Sequence, residues 1–191
     1  MRYRSEHKAE VHQKIVKDAS RRIRAEGLSG AAVAAIMRDT GLTHGGFYKH
    51  VASKDELLLE SLREAFREIA DNLARAAEKS GPKIAWKAIV KAYLSLEYCD
   101  QVARGCPLTA LAPEMTRGDM GMRDQIFPEL VKYKDRMLPF MPGRRTSDKE
   151  RAFFVIFSAM VGAVQLARML PDRAAQEKVL TNTREFLLSS F

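Results

Sequence analysis

Five hydrogen-bonding side chains lie within eight residues of one another: Thr43, His44, Tyr48, Lys49 and His50. Their hydroxyl, imidazole and ammonium groups can bond phosphate oxygens or the edges of bases. Gly45 and Gly46 lie among them, although a glycine inside a helix costs about 1 kcal/mol relative to alanine. Because a backbone without Cβ atoms can approach another surface closely, this stretch predicts a helix that contacts nucleic acid.

A helix-turn-helix is predicted to position these side chains. Three apolar residues before them recur at i, i+3 and i+4, the spacing of one buried helix face: Val33, Ile36 and Met37. They predict a helix over residues 32–40. Gly41 ends it, because glycine adopts the left-handed backbone conformation at little steric cost. Thr43 can cap a second helix, which we expect over residues 43–50.

The predicted DNA contacts are of two kinds, contacts to phosphates and contacts to base edges. Phosphate contacts are expected from Thr43, Tyr48 and Lys54. Base-edge contacts are expected from His44, Gly45 and Gly46. Lys49 and His50 complete the predicted DNA-binding set, although a histidine at the end of a short helix is equally suited to capping it. Phe47 is expected to be buried.

The neighbouring helices are also predicted. Four apolar residues repeat every four positions and indicate an amphipathic helix over residues 7–26, behind a polar arm of residues 1–6: Val11, Ile15, Ala19 and Ile23. The basic side chains of this helix are expected to lie outside: Lys14, Lys17, Arg21, Arg22 and Arg24. Ser53 and Glu56 form a capping-box pattern that opens a long helix over residues 54–79. Lys54 at its start is well placed to hold a phosphate.

The positive charge is concentrated around the same elements. The chain of 191 residues has a net charge of +8, and residues 1–54 account for +6 of it, with eleven Lys and Arg against five Asp and Glu. All four histidines lie there too. A basic segment with a helix-turn-helix pattern is the electrostatic footprint of a nucleic-acid-binding protein, although a merely solvated basic face has the same composition.

A longer run of residues resembles the DNA-binding signature of the TetR (tetracycline-repressor-like) family: Gly27, Ala31, Ala32, Val33, Ile36, Gly41, Leu42, Thr43, Gly45, Tyr48, His50, Lys54 and Leu57. The resemblance covers about the first third of the chain. It implies an all-α fold in which a three-helix helix-turn-helix head precedes a larger helical domain that binds ligand and dimerises. The chain departs from the family pattern at Ala31 and Ala32, where two threonines are usual, and at Val51, where phenylalanine is common.

The rest of the chain is also predicted to be helical, with domains at residues 1–53 and 54–191. No stretch alternates as a strand would, and no repeat is present. The helices after the long one are expected over residues 83–99, 108–115, 122–141 with a kink or break near Pro128, 152–167 and 172–190.

The last two helices are predicted to form a dimer interface. Residues 152–167 are the most apolar stretch, but the run is short for a membrane span and Arg151 and Arg168 flank it, so no membrane contact is expected. A helix that is apolar all round needs cover on every side, which a partner subunit would supply. The interface candidates are Ser158, Gly162, Gln165, Val179, Thr183 and Phe186. Alternatively, both helices only complete the monomer core.

An effector pocket is expected in the second domain. Its candidate lining residues are Tyr93, Glu97, Cys106, Leu108, Met115, Phe127 and Phe154. Each of them is also suited to an ordinary core. Such a lining, together with the nine methionines of the chain, favours a lipophilic or aromatic small molecule.

Cys106 carries an alternative hypothesis. It lies two residues from Arg104, and nearby positive charge lowers the pKa of a thiol and favours the reactive thiolate. A redox- or electrophile-sensing regulator is therefore the second candidate. The two cysteines form neither a disulfide framework nor a C-x-x-C pair, and no secretion-signal pattern opens the chain. We therefore expect a cytoplasmic location.

An enzyme is the more distant alternative. The sequence has no H-E-x-x-H, no G-x-x-x-x-G-K-[ST] and no G-x-S-x-G motif, and Glu97 and Glu114 are too isolated for acid-base roles. No catalytic residue, metal or cofactor is predicted. A basic scaffold or membrane-surface protein is a weaker third candidate. The favoured function is a dimeric transcriptional regulator, most simply a repressor, that an effector releases from a near-palindromic operator on double-stranded DNA.

Overall fold

The computed structural model describes residues 2–31, 33–41, 43–117 and 120–191. These residues form ten α-helices and three short 3-10 turns, and no strand occurs among them. The predicted all-α class is confirmed.

The first three helices form a small unit at one end of the chain. They are α1 (Arg2–Glu26), α2 (Val33–Thr40) and α3 (His44–Phe47). The prediction of a polar arm before residue 7 is wrong, because α1 begins at Arg2. Residues 2–6 contain no glycine or proline that would stop the helix. The helices share one apolar cluster with the start of the next helix: Ile15, Val16, Ala19, Ile36, Phe47, Val51 and Leu57.

Helix α4 (Lys54–Glu78) connects this unit to the rest of the molecule. The predicted cap is present, since the Ser53 Oγ accepts a hydrogen bond from the Glu56 backbone N–H at 3.1 Å. Leu57 belongs to the small apolar cluster, whereas Leu58 and Leu62 belong to the large one. A single rigid element therefore packs into both cores.

The helix predicted over residues 83–99 is two helices, α5 (Ala85–Tyr93) and α6 (Leu96–Asp100). Ser95 causes the break. Its Oγ accepts a hydrogen bond from the Tyr98 N–H at 3.1 Å and so caps a new helix. The periodicity of the apolar residues continued through this position and hid the cap.

Four further helices complete the larger unit: α7 (Pro107–Arg117), α8 (Met120–Met137), α9 (Thr146–Met169) and α10 (Arg173–Ser190). Helix α8 continues through Pro128, so the predicted break does not occur there; a proline removes one backbone hydrogen bond of a helix, and this helix tolerates the loss. It ends four residues earlier than predicted, at Met137. Pro139 explains the end, because the residue before a proline disfavours the α conformation, and residues 138–140 form a 3-10 turn instead.

Helix α9 packs against α7 and α10. By length and composition it is apolar enough to cross a membrane, and 44% of its most apolar stretch is buried against the rest of the chain. The buried side includes Ile156, Met160 and Val164. The core helix of a globular protein can have the same length and apolar composition. We therefore keep the interpretation of α9 as a helix packed within the protein.

Candidate functional site

The turn between α2 and α3 has the predicted geometry. Gly41 has a φ of +72°, in the left-handed region that glycine adopts easily. The Thr43 Oγ accepts a hydrogen bond from the Gly46 N–H at 3.3 Å and so caps α3. Phe47 is fully buried in the small apolar cluster, as predicted, and fixes α3 to the core.

Helix α3 is shorter than the predicted helix over residues 43–50. It is α-helical only over His44–Phe47 and continues as a hydrogen-bonded turn, in which the His50 N–H donates to the Phe47 carbonyl at 2.9 Å. Two adjacent glycines lower the helix propensity of this segment and explain the short helix.

Five of the predicted DNA contacts are exposed, and we call them together the reading surface: Thr43, Gly45, Tyr48, Lys49 and Lys54. Tyr48 is 44% exposed while its ring meets the buried Phe47 ring edge-on at 5.3 Å. Gly46 and His50 are half-buried beside it. The side chain of His44, like residues 32 and 42, lies outside what the structure describes.

The surroundings of Gly45 show whether packing within the chain requires a glycine at this position. An ideal Cβ built at this position meets no atom within 4 Å. Nothing inside the described chain therefore requires a glycine here, although glycine weakens the helix.

His12 is a contact that the sequence did not indicate. Its Nδ1 lies 2.7 Å from the His50 carbonyl oxygen, and its Nε2 lies 3.0 Å from the Glu60 Oε2. The ring therefore joins α1, the turn after α3 and the beginning of α4. No local pattern could have revealed it, because its partners are 38 and 48 residues away in the sequence.

Arg24 was predicted to lie outside, and this prediction is wrong. Its side chain is fully buried, with Nη2 2.5 Å from Glu68 Oε2 and Nη1 donating to the Gly105 carbonyl at 3.0 Å. Ser20 accepts further hydrogen bonds from it. The guanidinium can be buried because every part of it has a partner. Arg22 is half-buried and pairs with Asp39 at 2.6 Å.

A second contact joins the same end of α1 to α7. The Leu28 N–H donates to the Glu114 Oε2 at 2.8 Å. The sequence had presented Glu114 only as an isolated carboxylate. Together with the bond from Arg24 to Gly105, this contact ties the base of the three-helix unit to both ends of α7.

The seven candidate pocket residues do not line one cavity. Tyr93, Cys106 and Met115 are core residues, and Glu97 is exposed on α6 beside Gln101. The other three, Leu108, Phe127 and Phe154, line an open groove of about 450 Å³ between α7, α8 and α9. We call it the α7–α9 groove.

The environment of Cys106 disfavours the reactive thiolate that the sequence led us to expect. Cys106 is fully buried, and this burial raises the pKa of its thiol above the ordinary value. Arg104 is exposed and two residues away, so its charge does not compensate for the lost water. The predicted lowering of the pKa is therefore wrong.

The predicted interface residues on α9 and α10 are only partly exposed. Ser158, Gly162 and Phe186 are exposed, and Gln165, Val179 and Thr183 are half-buried. The structure adds apolar side chains that the sequence did not single out: Val155, Leu166 and Met169, which are 48%, 50% and 80% exposed. A Cβ at Gly162 meets no atom within 4 Å, so another helix could approach closely there.

The chain is thus an all-helical protein with an exposed helix-turn-helix on a small basic unit. No family model matches it. It is 32% identical over 75 residues to the HTH-type transcriptional regulators Rv1816 of Mycobacterium tuberculosis and Mb1846 of Mycobacterium bovis. The match covers 39% of this chain, and it spans about a third of the length of those relatives, 32%.

Solved structures extend the similarity to the whole chain. A TetR-family regulator from Cytophaga hutchinsonii has a TM-score of 0.75 at 16% identity, and one from Chloroflexus aurantiacus has 0.75 at 22%, each covering 96% of both chains. A TetR-family regulator from Streptomyces coelicolor has 0.68 at 19% identity over 99% of this chain and 96% of its own. The chain has the TetR-family fold, and the resemblance inferred from its helix-turn-helix residues is confirmed at that level.

Proposed function

We propose that this chain is a sequence-specific DNA-binding transcriptional regulator that works as a homodimer and responds to a small-molecule effector. The observation that carries the proposal is the reading surface. Helix α3 is fixed to the core by Phe47, yet its outer side holds Gly45 in open space among exposed hydrogen-bonding groups. A helix that gives up stability to keep its backbone bare is suited to lie against DNA.

Electrostatics favour the same partner. Residues 1–54 hold +6 of the net charge, and α1 leaves Lys14, Lys17 and Arg21 exposed. Lys54 stands at the first turn of α4, where a helix N-terminus also attracts phosphate. Most of the affinity for DNA would come from these backbone contacts, and the selectivity from α3.

The dimer is proposed from the exposed apolar side of α9 and α10. Leu166, Met169 and Phe186 are each at least half exposed, and Gly162 allows close helix packing. Burying this stripe against its copy would remove large apolar side chains from water. A two-fold axis would set two α3 helices in successive major grooves, so the operator is a near-palindrome.

Effector control is proposed through the contacts at the base of the head. The head comprises residues 1–53, and residues 54–191 form the effector-binding and dimerisation domain. Arg24 and Leu28 reach from the head to Gly105 and Glu114 at either end of α7. An effector that displaces α7 would change the spacing of the two heads and release the operator, which is the action of a repressor.

The described residues give less support to the other candidate functions, a thiol sensor and an enzyme. A thiol sensor requires an accessible, ionisable cysteine, and Cys106 is neither. In the part of the chain that the structure describes, no three His, Cys, Asp or Glu side chains come together as a metal centre requires. The similar curated proteins are named transcriptional regulators rather than enzymes.

Fluorescence anisotropy with labelled DNA tests the proposal. The DNA upstream of the chain's own gene should bind about 1,000-fold more tightly than a scrambled duplex of equal length at physiological salt. Footprinting should protect two half-sites one helical turn or a multiple apart. Equal affinity for both duplexes would refute sequence-specific binding.

A further inference from the structure

The His12 ring lies between the two elements that carry most of the reading surface. Its Nδ1 is 2.7 Å from the His50 carbonyl oxygen, in the turn after α3, and its Nε2 is 3.0 Å from the Oε2 atom of Glu60 on α4. Tyr48 belongs to that turn, and Lys54 begins α4. The ring therefore helps to set the distance between two of the groups proposed to contact phosphate.

The turn after α3 has few contacts of its own to hold it. Helix α3 has only four residues, and two of them are glycine. In the backbone bonds that follow it, the Lys49 N–H reaches the Gly46 carbonyl at 3.3 Å and the Val51 N–H reaches the Phe47 carbonyl at 3.2 Å, both toward the long end of the usual range. The contact from His12 adds a constraint from outside this helix.

Both ring nitrogens of His12 face oxygen atoms, and this determines how many protons the contacts need. A neutral imidazole has one N–H donor and one nitrogen lone pair, whereas an imidazolium has two donors. With a neutral ring, the lone pair would face either the His50 carbonyl or the Glu60 carboxylate. With the imidazolium, Nδ1 donates to the carbonyl and Nε2 faces the carboxylate as a cation. A proton placed on Glu60 instead would lie between the same two atoms, so either arrangement requires one extra proton.

The atoms next to the ring support this count. The Glu60 Oε2 atom is buried, and no other group among the described residues donates a hydrogen bond to it. Leaving a buried carboxylate oxygen without a proton donor is costly. The Nδ1 atom of His50 is also buried without a hydrogen-bond partner in the described part of the chain, and the contact of His50 with His12 is made by its backbone carbonyl.

The other charged groups around the ring have partners or face water. Those that line the same opening between α1, α4 and α8 pair with one another: Arg67 with Glu64 and Asp71, and Glu129 with Arg63 and Lys132. Arg136 of α8 also lines the opening and lies 3.8 Å from Glu78. Lys8 and Lys17 of α1 are exposed. Glu60 is thus the carboxylate that the imidazolium neutralises.

We propose that His12 is a positioning residue whose proton holds the reading surface in the arrangement that binds DNA, so that the affinity for DNA falls as the pH rises. The protonated ring joins the turn that carries Tyr48 to the helix that begins with Lys54. Loss of the proton leaves a lone pair against the Glu60 carboxylate, and the repulsion loosens the turn. Histidine gains and loses its proton between pH 5 and 8, so the contact is complete on the acid side of this range and is lost on the basic side. This inference rests on the proposed function.

The variant Glu60→Gln separates the contact from the proton. A glutamine amide can donate a hydrogen bond to Nε2 of a neutral ring while Nδ1–H still donates to His50, so both contacts persist without the extra proton. DNA anisotropy is measured at constant ionic strength on one duplex, at about pH 6 and about pH 8. Wild-type affinity should fall about three- to tenfold further between these values than the affinity of Glu60→Gln. The other histidines titrate in both proteins, so the difference belongs to His12.

Two further variants control for charge and for the identity of the histidine. Glu64→Gln removes the same charge from a carboxylate of α4 that pairs with Arg67, and it should keep the wild-type pH dependence. His12→Gln has no titrating ring and should lose the same part of the pH dependence as Glu60→Gln. Equal pH dependence in the wild type and Glu60→Gln, or an equal loss of it in Glu64→Gln, would overturn the proposal.

Hydrogen exchange on the free protein tests the positioning without DNA. At about pH 8, amides of residues 48–51 should exchange at least about threefold faster in the wild type than in Glu60→Gln, and at about pH 6 the two proteins should agree. Equal exchange at both pH values would also overturn the proposal. A wild type that binds no duplex would refute the proposed function instead, and the exchange would then decide alone whether the proton of His12 holds the turn.

Discussion

The Arg24 guanidinium of α1 donates a hydrogen bond from Nη1 to the Gly105 carbonyl at 3.0 Å, across 81 residues of sequence. The same group pairs with Glu68 of α4 at 2.5 Å. One buried side chain thus joins the helix-turn-helix unit, the long connecting helix and the segment that precedes α7. A shift of any one of these elements must either break this contact or carry the others with it.

Replacing Arg24 should cost stability. Arg24→Ala leaves Glu68 and the Gly105 carbonyl without their partner, and we expect the free energy of unfolding to fall by about 3 kcal/mol. This value is at the low end for a broken buried pair because the Glu68 side chain keeps 25% of its surface exposed. Urea denaturation followed by circular dichroism measures the change. Arg21→Ala, on the exposed side of the same helix, is the matched control and should lie within about 0.5 kcal/mol of the wild type.

A substitution at Gly45 should change the stability of the protein and its affinity for DNA in opposite directions. Gly45→Ala should raise the free energy of unfolding by about 1 kcal/mol, because alanine favours a helix and its Cβ meets open space. DNA affinity should nevertheless fall about tenfold, a loss of about 1.4 kcal/mol, because the added methyl group holds α3 away from the DNA. Ala92→Ser, at an exposed position of α5, should change neither quantity. A Gly45→Ala protein that binds DNA normally would show that the glycine is not a contact point.

The proposed dimer depends on the apolar stripe of α9. Leu166→Glu would place two unpaired carboxylates in the interface, and dimerisation should weaken by at least about 100-fold. Sedimentation velocity over a range of concentrations measures this equilibrium. Ile84→Glu, at an equally exposed apolar residue outside the stripe, serves as the control. A Leu166→Glu chain that remains dimeric would place the interface elsewhere.

Cys106 should be inert in the folded protein. At pH 8, iodoacetamide followed by mass spectrometry should label it only after unfolding in urea. The native pKa is raised by burial, so the folded thiol keeps a proton that the unfolded thiol releases above about pH 8.5. The stability that this difference contributes is therefore complete below that pH and is lost as the pH rises. Rapid labelling of Cys106 in the native state would revive the thiol-sensor hypothesis.

The features that could be predicted from the sequence are those set by neighbouring residues. The Ser53 cap of α4, the left-handed Gly41 and the buried Phe47 each follow from a pattern within a few positions. The residues of the reading surface could be named for the same reason, since they are nearly contiguous, and their contact with DNA stays a prediction. The break at Ser95 was also local, but the apolar periodicity on both sides concealed it.

The features that could not be predicted depend on distant partners. Arg24 looks like any other surface cation of an amphipathic helix until Glu68 and Gly105 are folded around it. His12 and Glu114 gave no signal for the same reason. The α7–α9 groove draws its lining from three helices, so the sequence indicated Leu108, Phe127 and Phe154 singly but not that they line one groove.

The salt dependence of DNA binding measures the phosphate contacts that the reading surface would make. The double variant Tyr48→Ala/Lys54→Ala is compared by anisotropy with the wild type and with Lys83→Ala, an exposed lysine of the second domain. We expect weaker binding and a slope of log K against log salt that is smaller by about 2, since a dimer would lose two lysine-phosphate contacts. Lys83→Ala should match the wild type. A double variant with unchanged affinity and an unchanged slope would contradict the assignment of this surface to DNA.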